Sequence, residues 1–147
     1  MDWYSPLKAL HVLSAVLWVG GMFFAIIVLR PSLAVLEPAQ RLALHAGVFR
    51  RFFLIVWHVM PLVILTGYAM IFVGFGGMAG TRWPVHVMTL LGLLMGAIFA
   101  FLYFVPYRRF RNAADAPAKA QAADMIRKLI TINLVIGVAT IVIAHVK

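Results

Sequence analysis

The chain has 147 residues, 65% of them hydrophobic and 12% charged, with a formal net charge of +9 at pH 7. The length suits one domain, but no soluble core of that size hides so much apolar surface. Cysteine is absent, which excludes disulfides, thiolate metal sites and thiol catalysis, and the basic residues flank apolar stretches instead of forming a soluble basic domain, which sets nucleic acid aside as a partner.

Stretches free of Asp, Glu, Lys and Arg run from Ala9 to Leu29, Phe52 to Thr81, Trp83 to Tyr107 and Leu129 to Val146. Each approaches the ~20 residues that a helix needs to cross ~30 Å of hydrocarbon. The expected fold is therefore an all-α membrane protein, one domain over 1–147, with transmembrane helices at about 6–29, 52–74, 84–106 and 126–146 in an up-and-down bundle. The first stretch is full-length and leads through Arg30 and Pro31 into more membrane protein, so it reads as a retained span and not a cleaved signal peptide.

Between the first and second spans, Glu37 to Arg51 sets Leu42, Val48 and Phe49 against Arg41 and Arg50 at helical spacing, with Pro38 suited to a first turn. A short surface helix is expected there, carrying His45. Gly74, Gly76, Gly77 and Gly80 mark a flexible second connection, and Trp83-Pro84 the interfacial start of the third helix. The third connection, Asn112 to Ala123, is Ala-rich with Pro117 and has little to bury; it reads as a hairpin extending the fourth helix.

Ten of the thirteen Lys and Arg lie in the first and third connections, leaving only Lys8, Arg82 and Lys147 elsewhere. The positive-inside rule puts those two loops, and the surface helix, in the cytoplasm and both termini in the periplasm.

Ionisable side chains inside a membrane are costly, so the histidines are the candidate functional residues. At ~1.5 Å per residue, His11 sits about 8 Å below the outer end of the first helix and His86 about 3 Å below that of the third, with His145 near the outer end of the fourth. Three imidazoles thus share one level, and His11 and His86 lie on diagonal helices that can clamp a flat macrocycle. His58 lies on the inner half of the second helix, with Met22 at a comparable level as a weak ligand or a packing residue. Leu7, His11, Ser14, Trp18, Gly21 and Ala25 form one face of the first helix, where small residues leave room beside an imidazole. Thr89, Leu93, Gly96, Ala100 and Tyr103 extend from His86 in the same way, although Gly92 and Gly96 also form a helix-packing pair. Asn133 and Thr140 are candidates to hydrogen-bond a ligating histidine.

Imidazole suits iron, copper and zinc alike. The methionines, among them Met22, Met60, Met70, Met78, Met88 and Met95, are scattered, which weighs against a thioether copper site. The four acids, Asp2, Glu37, Asp115 and Asp124, lie outside the spans, so hydrolytic metal chemistry has no carboxylate base. Two neutral histidines and a dry apolar slot are what bis-imidazole haem requires.

The strings LKALHVLSAVLWVGGMFF (Leu7 to Phe24), LRP (Leu29 to Pro31), FRRFF (Phe49 to Phe53), WPVHVM (Trp83 to Met88) and FVPYRRFR (Phe104 to Arg111) resemble the copper-resistance protein D (CopD) family of bacterial inner-membrane proteins. The likeness covers nearly the whole chain and is closest to the short, free-standing members; longer members are proposed to move copper across the inner membrane. The Lys-x-x-His opening is also similar to the HemJ protoporphyrinogen oxidases, four-helix proteins with b-type haem. That resemblance maps the family's first-helix histidine onto His11 and its Trp-Leu-His onto Trp83 to His86. Two positions depart from it: Met88 stands where that family has a lysine, and Arg30-Pro31 replaces its Leu-Pro-Arg stretch.

The leading expectation is an inner-membrane haem b protein, with His11 and His86 as ligands beside Ser14, Trp18 and Gly21. It would pass electrons between a quinone or porphyrin and a redox partner protein. The alternative is copper transport or handling, with His11, His86 and His145 as an outer-face metal site and His58 as a further metal ligand. A protoporphyrinogen oxidase-like enzyme and a structural subunit that assembles helices, as a homo-oligomer or around another membrane protein, stand behind these, and enzymatic activity is left open.

Overall fold

The computed structural model describes residues 2–146, apart from the side chains of Phe75 and Met78. Lys147 and the Met78 side chain, both used in the sequence reading, lie outside the described residues. The elements are α1 (Tyr4–Phe23), a π-helical segment (Phe24–Leu29), α2 (Arg30–Ser32), a 3₁₀ turn (Leu33–Val35), α3 (Pro38–Phe75), a 3₁₀ turn (Met78–Gly80), α4 (Trp83–Phe104), α5 (Pro106–Asn112) and α6 (Ala116–Ala144). Four helical stretches, Tyr4–Val35, Pro38–Gly74, Trp83–Asn112 and Ala116–Ala144, are long and apolar enough to cross a membrane.

Contacts along the helices give their directions. Tyr4 packs on Gly74 while Gly21 packs on Phe52, so α1 and α3 are antiparallel. Phe49 meets Tyr107, Phe53 meets Tyr103, and Met60 meets Gly96, so α3 and the α4–α5 pair are antiparallel too. Gly137 of α6 closes the bundle by receiving Val19 of α1 and Met95 of α4. The result is an up-and-down bundle whose described ends, Asp2 and Val146, lie at the same end. Leu13, Val16, Leu17, Phe24, Ile27, Leu54, Leu65, Phe72, Leu90, Phe101, Val135 and Val142 point outward. That inverted surface is what a hydrocarbon solvent rewards and water penalises.

The first connection departs from the expected separate surface helix. A capping box, with Glu37 N–H donating to Gln40 Oε1 at 3.1 Å, starts α3 at Pro38, and the helix then runs unbroken for 38 residues. No proline lies between Leu42 and Val59, Gly47 is the one weak helix former there, and the buried face Phe49, Phe53, Val56, Val59 continues at helical spacing. At 1.5 Å per residue α3 is about 57 Å long, so it projects well past one edge of the hydrocarbon.

The first span also continues beyond Leu29. A regular α-helix would drive the Pro31 ring into the carbonyl four residues earlier, and the wider π-turn just before it relieves that clash. The third connection shrinks to residues 113–115. Asp115 Oδ1 accepts from Ala118 N–H at 2.8 Å and starts α6 about three turns before the apolar span. Contrary to the expectation that this Ala-rich stretch buries little, Ala122 and Ala123 are buried, because their small side chains let α5 approach α6 and enclose Phe110. Of the loop glycines, Gly74 belongs to α3, and Gly76 ends that helix at φ 72°, a left-handed conformation that favours glycine.

An aromatic layer closes the end of the bundle away from the termini. Phe53 sits at its centre, stacked on Phe49 and edge-on to Phe99 and to Tyr107, whose centroid is 4.8 Å away. Trp18, Met22, Met95 and Leu134 carry the same buried core toward the other end.

Candidate functional site

α1 turns its Ser14, Trp18 and Met22 stripe inward, as its spacing requires, and all three are buried. His11, one turn nearer the terminus on that face, is half-buried against α3. Its Nδ1 lies 2.9 Å from the carbonyl of Val63 and 3.0 Å from Thr66 Oγ1. A carbonyl only accepts, so Nδ1 carries the proton and shares it between the two oxygens. The Thr66 hydroxyl donates its own proton back to the Leu62 carbonyl, which leaves its oxygen free to accept. The tautomer is therefore set, and the Nε2 lone pair is left unprotonated. This is how proteins commonly hold an imidazole that ligates a metal. Gly67 makes the approach possible, since a Cβ there would come within 3.2 Å of His11 Cε1.

The other histidines are placed separately. His86 is exposed, with Nε2 2.9 Å from Thr81 Oγ1. His58 and His145 are exposed, and each donates from Nδ1 to the carbonyl one turn back, Leu54 and Ile141 respectively, at 2.8 Å. His45 stacks on Phe49 with centroids 5.3 Å apart. Among the described residues no three His, Asp or Glu side chains come together as a metal-holding group, so His11, His86 and His145 do not assemble into the three-histidine site expected from their shared depth. Depth along a helix says nothing about rotation around it, and rotation turns His11 onto α3 and leaves His86 at the surface.

Asn133 and Thr140 serve other partners than a histidine. Thr140 donates to the Ile136 carbonyl at 2.7 Å. Asn133, 2% exposed, donates from Nδ2 to the Met95 carbonyl at 3.1 Å and ties α6 to α4, while its Oδ1 has no protein partner. Gly21 receives the Phe52 ring, so it serves helix packing and not an open slot. Of the Gly92 and Gly96 pair only Gly96 is in contact, its α-carbon facing Met60 Sδ and Ile64.

Sequence spacing named Met22 as a weak ligand or a packing residue but missed its grouping with Met60 and Met95. Met22 and Met95 are buried in one core and Met60 packs against it, from α1, α4 and α3 respectively. Methionines far apart in the chain thus supply thioethers to one interior. Recurrence of Met on the inward faces of α1, α3 and α4 was the signal that pointed there; Met125 of α6 is exposed.

The sequence profile described as copper resistance protein D matches residues 46–147. No curated protein and no solved structure matches the chain. The matched part holds most of the second span and all of the third and fourth, the aromatic layer, and the histidines His58, His86 and His145, and with a match over more than half its length the chain belongs to the copper resistance protein D family.

Proposed function

We propose that this protein handles copper within the membrane, with His11 as the nitrogen donor near the end of the bundle that carries the termini. The observation that carries this reading is the Nδ1–H bond of His11 to Val63 and Thr66, which leaves Nε2 as a fixed lone pair. Met60 lies six residues before Thr66 on α3, about 9 Å deeper from the end that carries the termini, and with Met95 and Met22 it offers the soft thioethers that Cu(I) prefers. The name of the family, copper resistance protein D, points to the same metal. Imidazole at the entrance and thioethers within form a graded set of donors, weak enough singly to pass an ion along. The family also supports placement in a bacterial inner membrane, with the Arg-rich connections facing the cytoplasm by the positive-inside rule.

Titration of the purified chain against a coloured Cu(I) chelator tests this. The wild type should take copper from the chelator, His11→Ala should weaken its affinity at least tenfold, and Met60→Leu and Met95→Leu should each weaken it less. A wild type that takes no copper, or a His11→Ala variant that takes it equally well, overturns the reading. A Soret band that His11→Ala abolishes would assign this imidazole to haem b and electron transfer instead.

A further inference from the structure

Where α3, α5 and α6 meet at the end of the bundle opposite the termini, an open groove of about 440 Å³ gathers Arg50, Arg111 and Lys119 around the buried Tyr107. Three elements each contribute one cation, and no carboxylate lines the groove. Among the described residues the ion pairs are those of Asp124 with Arg127 and Lys128, so neither arginine nor Lys119 has a carboxylate partner there. A second groove, of about 430 Å³ and lined by Arg30, Arg41 and Arg127, differs in containing Asp124, which already neutralises part of its charge.

Like charges held together repel unless an anion joins them. Here the cations are also held in place. The Arg111 guanidinium lies over the Tyr107 ring, 4.8 Å from its centroid, and the Lys119 ammonium lies 5.5 Å from that of Phe110. Such contacts reduce the entropy lost when the side chains close on a ligand, and they leave guanidinium N–H groups free for oxygen acceptors. Ala43 and Gly47 form the α3 wall, where longer side chains would fill the space. The groove lies beside α5, directly after the helix breaks at Val105 at the end of the 22-residue α4, whose length of about 33 Å matches the hydrocarbon thickness and so puts the groove at the level of lipid headgroups and not of acyl chains.

We propose that this groove binds a phosphate oxyanion, carried by the headgroup of an anionic phospholipid. Arginine pairs bidentately with phosphate oxygens, and basic pockets between helices at a membrane edge suit acidic headgroups. Free phosphate shares the chemistry, but a groove at headgroup level meets lipid at far higher local concentration. Bound there, one lipid would join α3, α5 and α6 and brace the end of the bundle.

The test is thermal unfolding of the full chain in nanodiscs of phosphatidylcholine, with and without phosphatidylglycerol, and in phosphatidylcholine with added inorganic phosphate. Phosphatidylglycerol should raise the midpoint, and Arg111→Gln and Lys119→Gln should each remove at least half of the rise. Arg108→Gln removes equal charge from α5 outside the groove and should keep it. Gly47→Leu fills the groove with every charge retained and should abolish the rise, which covers the case of an arginine variant that folds poorly. A rise equal in all variants, or lost equally in Arg108→Gln, would show diffuse surface electrostatics and overturn the site. A rise produced by inorganic phosphate and dependent on Arg111 would keep the oxyanion site and overturn the lipid as its source.

Discussion

The Nδ1–H of His11 donates to the carbonyl of Val63, 2.9 Å away, across the interface of α1 and α3. The two residues are 52 positions apart, and the bond does two things at once. It satisfies a polar group inside an apolar bundle, and it dictates which ring nitrogen keeps a lone pair. Thr66 completes the arrangement as a second acceptor whose own proton is spent on Leu62.

Thr66→Val should therefore act on copper through His11 without touching the ion. Loss of such an orienting partner commonly costs 10–100-fold in metal affinity, and with the Val63 bond retained about tenfold is expected here. Nitrogen NMR of the His11 ring should show the Nδ1–H tautomer less dominant in the variant. An unchanged tautomer with weakened copper binding would assign Thr66 a merely structural role.

Asn133→Leu should stabilise the fold. The substitution removes a buried amide oxygen that has no protein partner, a burden of about 1–3 kcal/mol. It forfeits one hydrogen bond to the Met95 carbonyl, and such bonds average about 0.6 kcal/mol between membrane helices. A net gain on the order of 1 kcal/mol should appear as a higher thermal midpoint in detergent. A fall of similar size would mean that Oδ1 is engaged by water or ligand in the working protein.

Gly137 and Gly92 should respond oppositely to alanine. A Cβ at Gly137 would lie 2.9 Å from Val19 Cγ2 and 3.2 Å from Met95 Cε, where α1, α4 and α6 meet, so Gly137→Ala should cost about 1–3 kcal/mol. At Gly92 nothing lies within 4 Å, and Gly92→Ala should be neutral or stabilise by up to about 1 kcal/mol through helix propensity. Unfolding midpoints of the two variants, measured side by side, check the contrast.

The start of α1 should depend on pH through Asp2. Ser5 Oγ–H donates to Asp2 Oδ2 at 2.6 Å and Tyr4 N–H to Oδ1 at 3.0 Å, and these bonds hold the carboxyl below its ordinary value of 3.8. A depressed folded-state pKa means that the contribution is complete above 3.8 and is lost as pH falls through the lowered value. Ser5→Ala should move the Asp2 titration, followed by carbon NMR of the carboxyl, up toward 3.8. Because the group is fully exposed, global stability should barely change.

The four spans and the place of the glycine-rich second connection were legible in the sequence because hydrophobic length and turn composition are local properties of the chain. The same locality explains the errors at the connections. Whether Glu37 to Arg51 forms its own helix depends on what Phe49 and Phe53 pack against, and the partners, Tyr107 and Phe110, come from far along the chain. The candidate site divides in the same way.

By itself the sequence determined that this chain crosses a membrane four times, folds as an up-and-down bundle and exposes its cations mainly in two connections. It also singled out His11 by its depth and its small-residue face. Only the tertiary structure decided that His11 meets Val63 and Thr66, that His86 and His145 stay apart from it, and that Met22, Met60 and Met95 share one interior. The reason is rotational: periodicity defines a helix face but not its direction. That direction is set where Gly21 admits Phe52 and Gly137 admits Val19, close contacts between residues with no proximity in the chain.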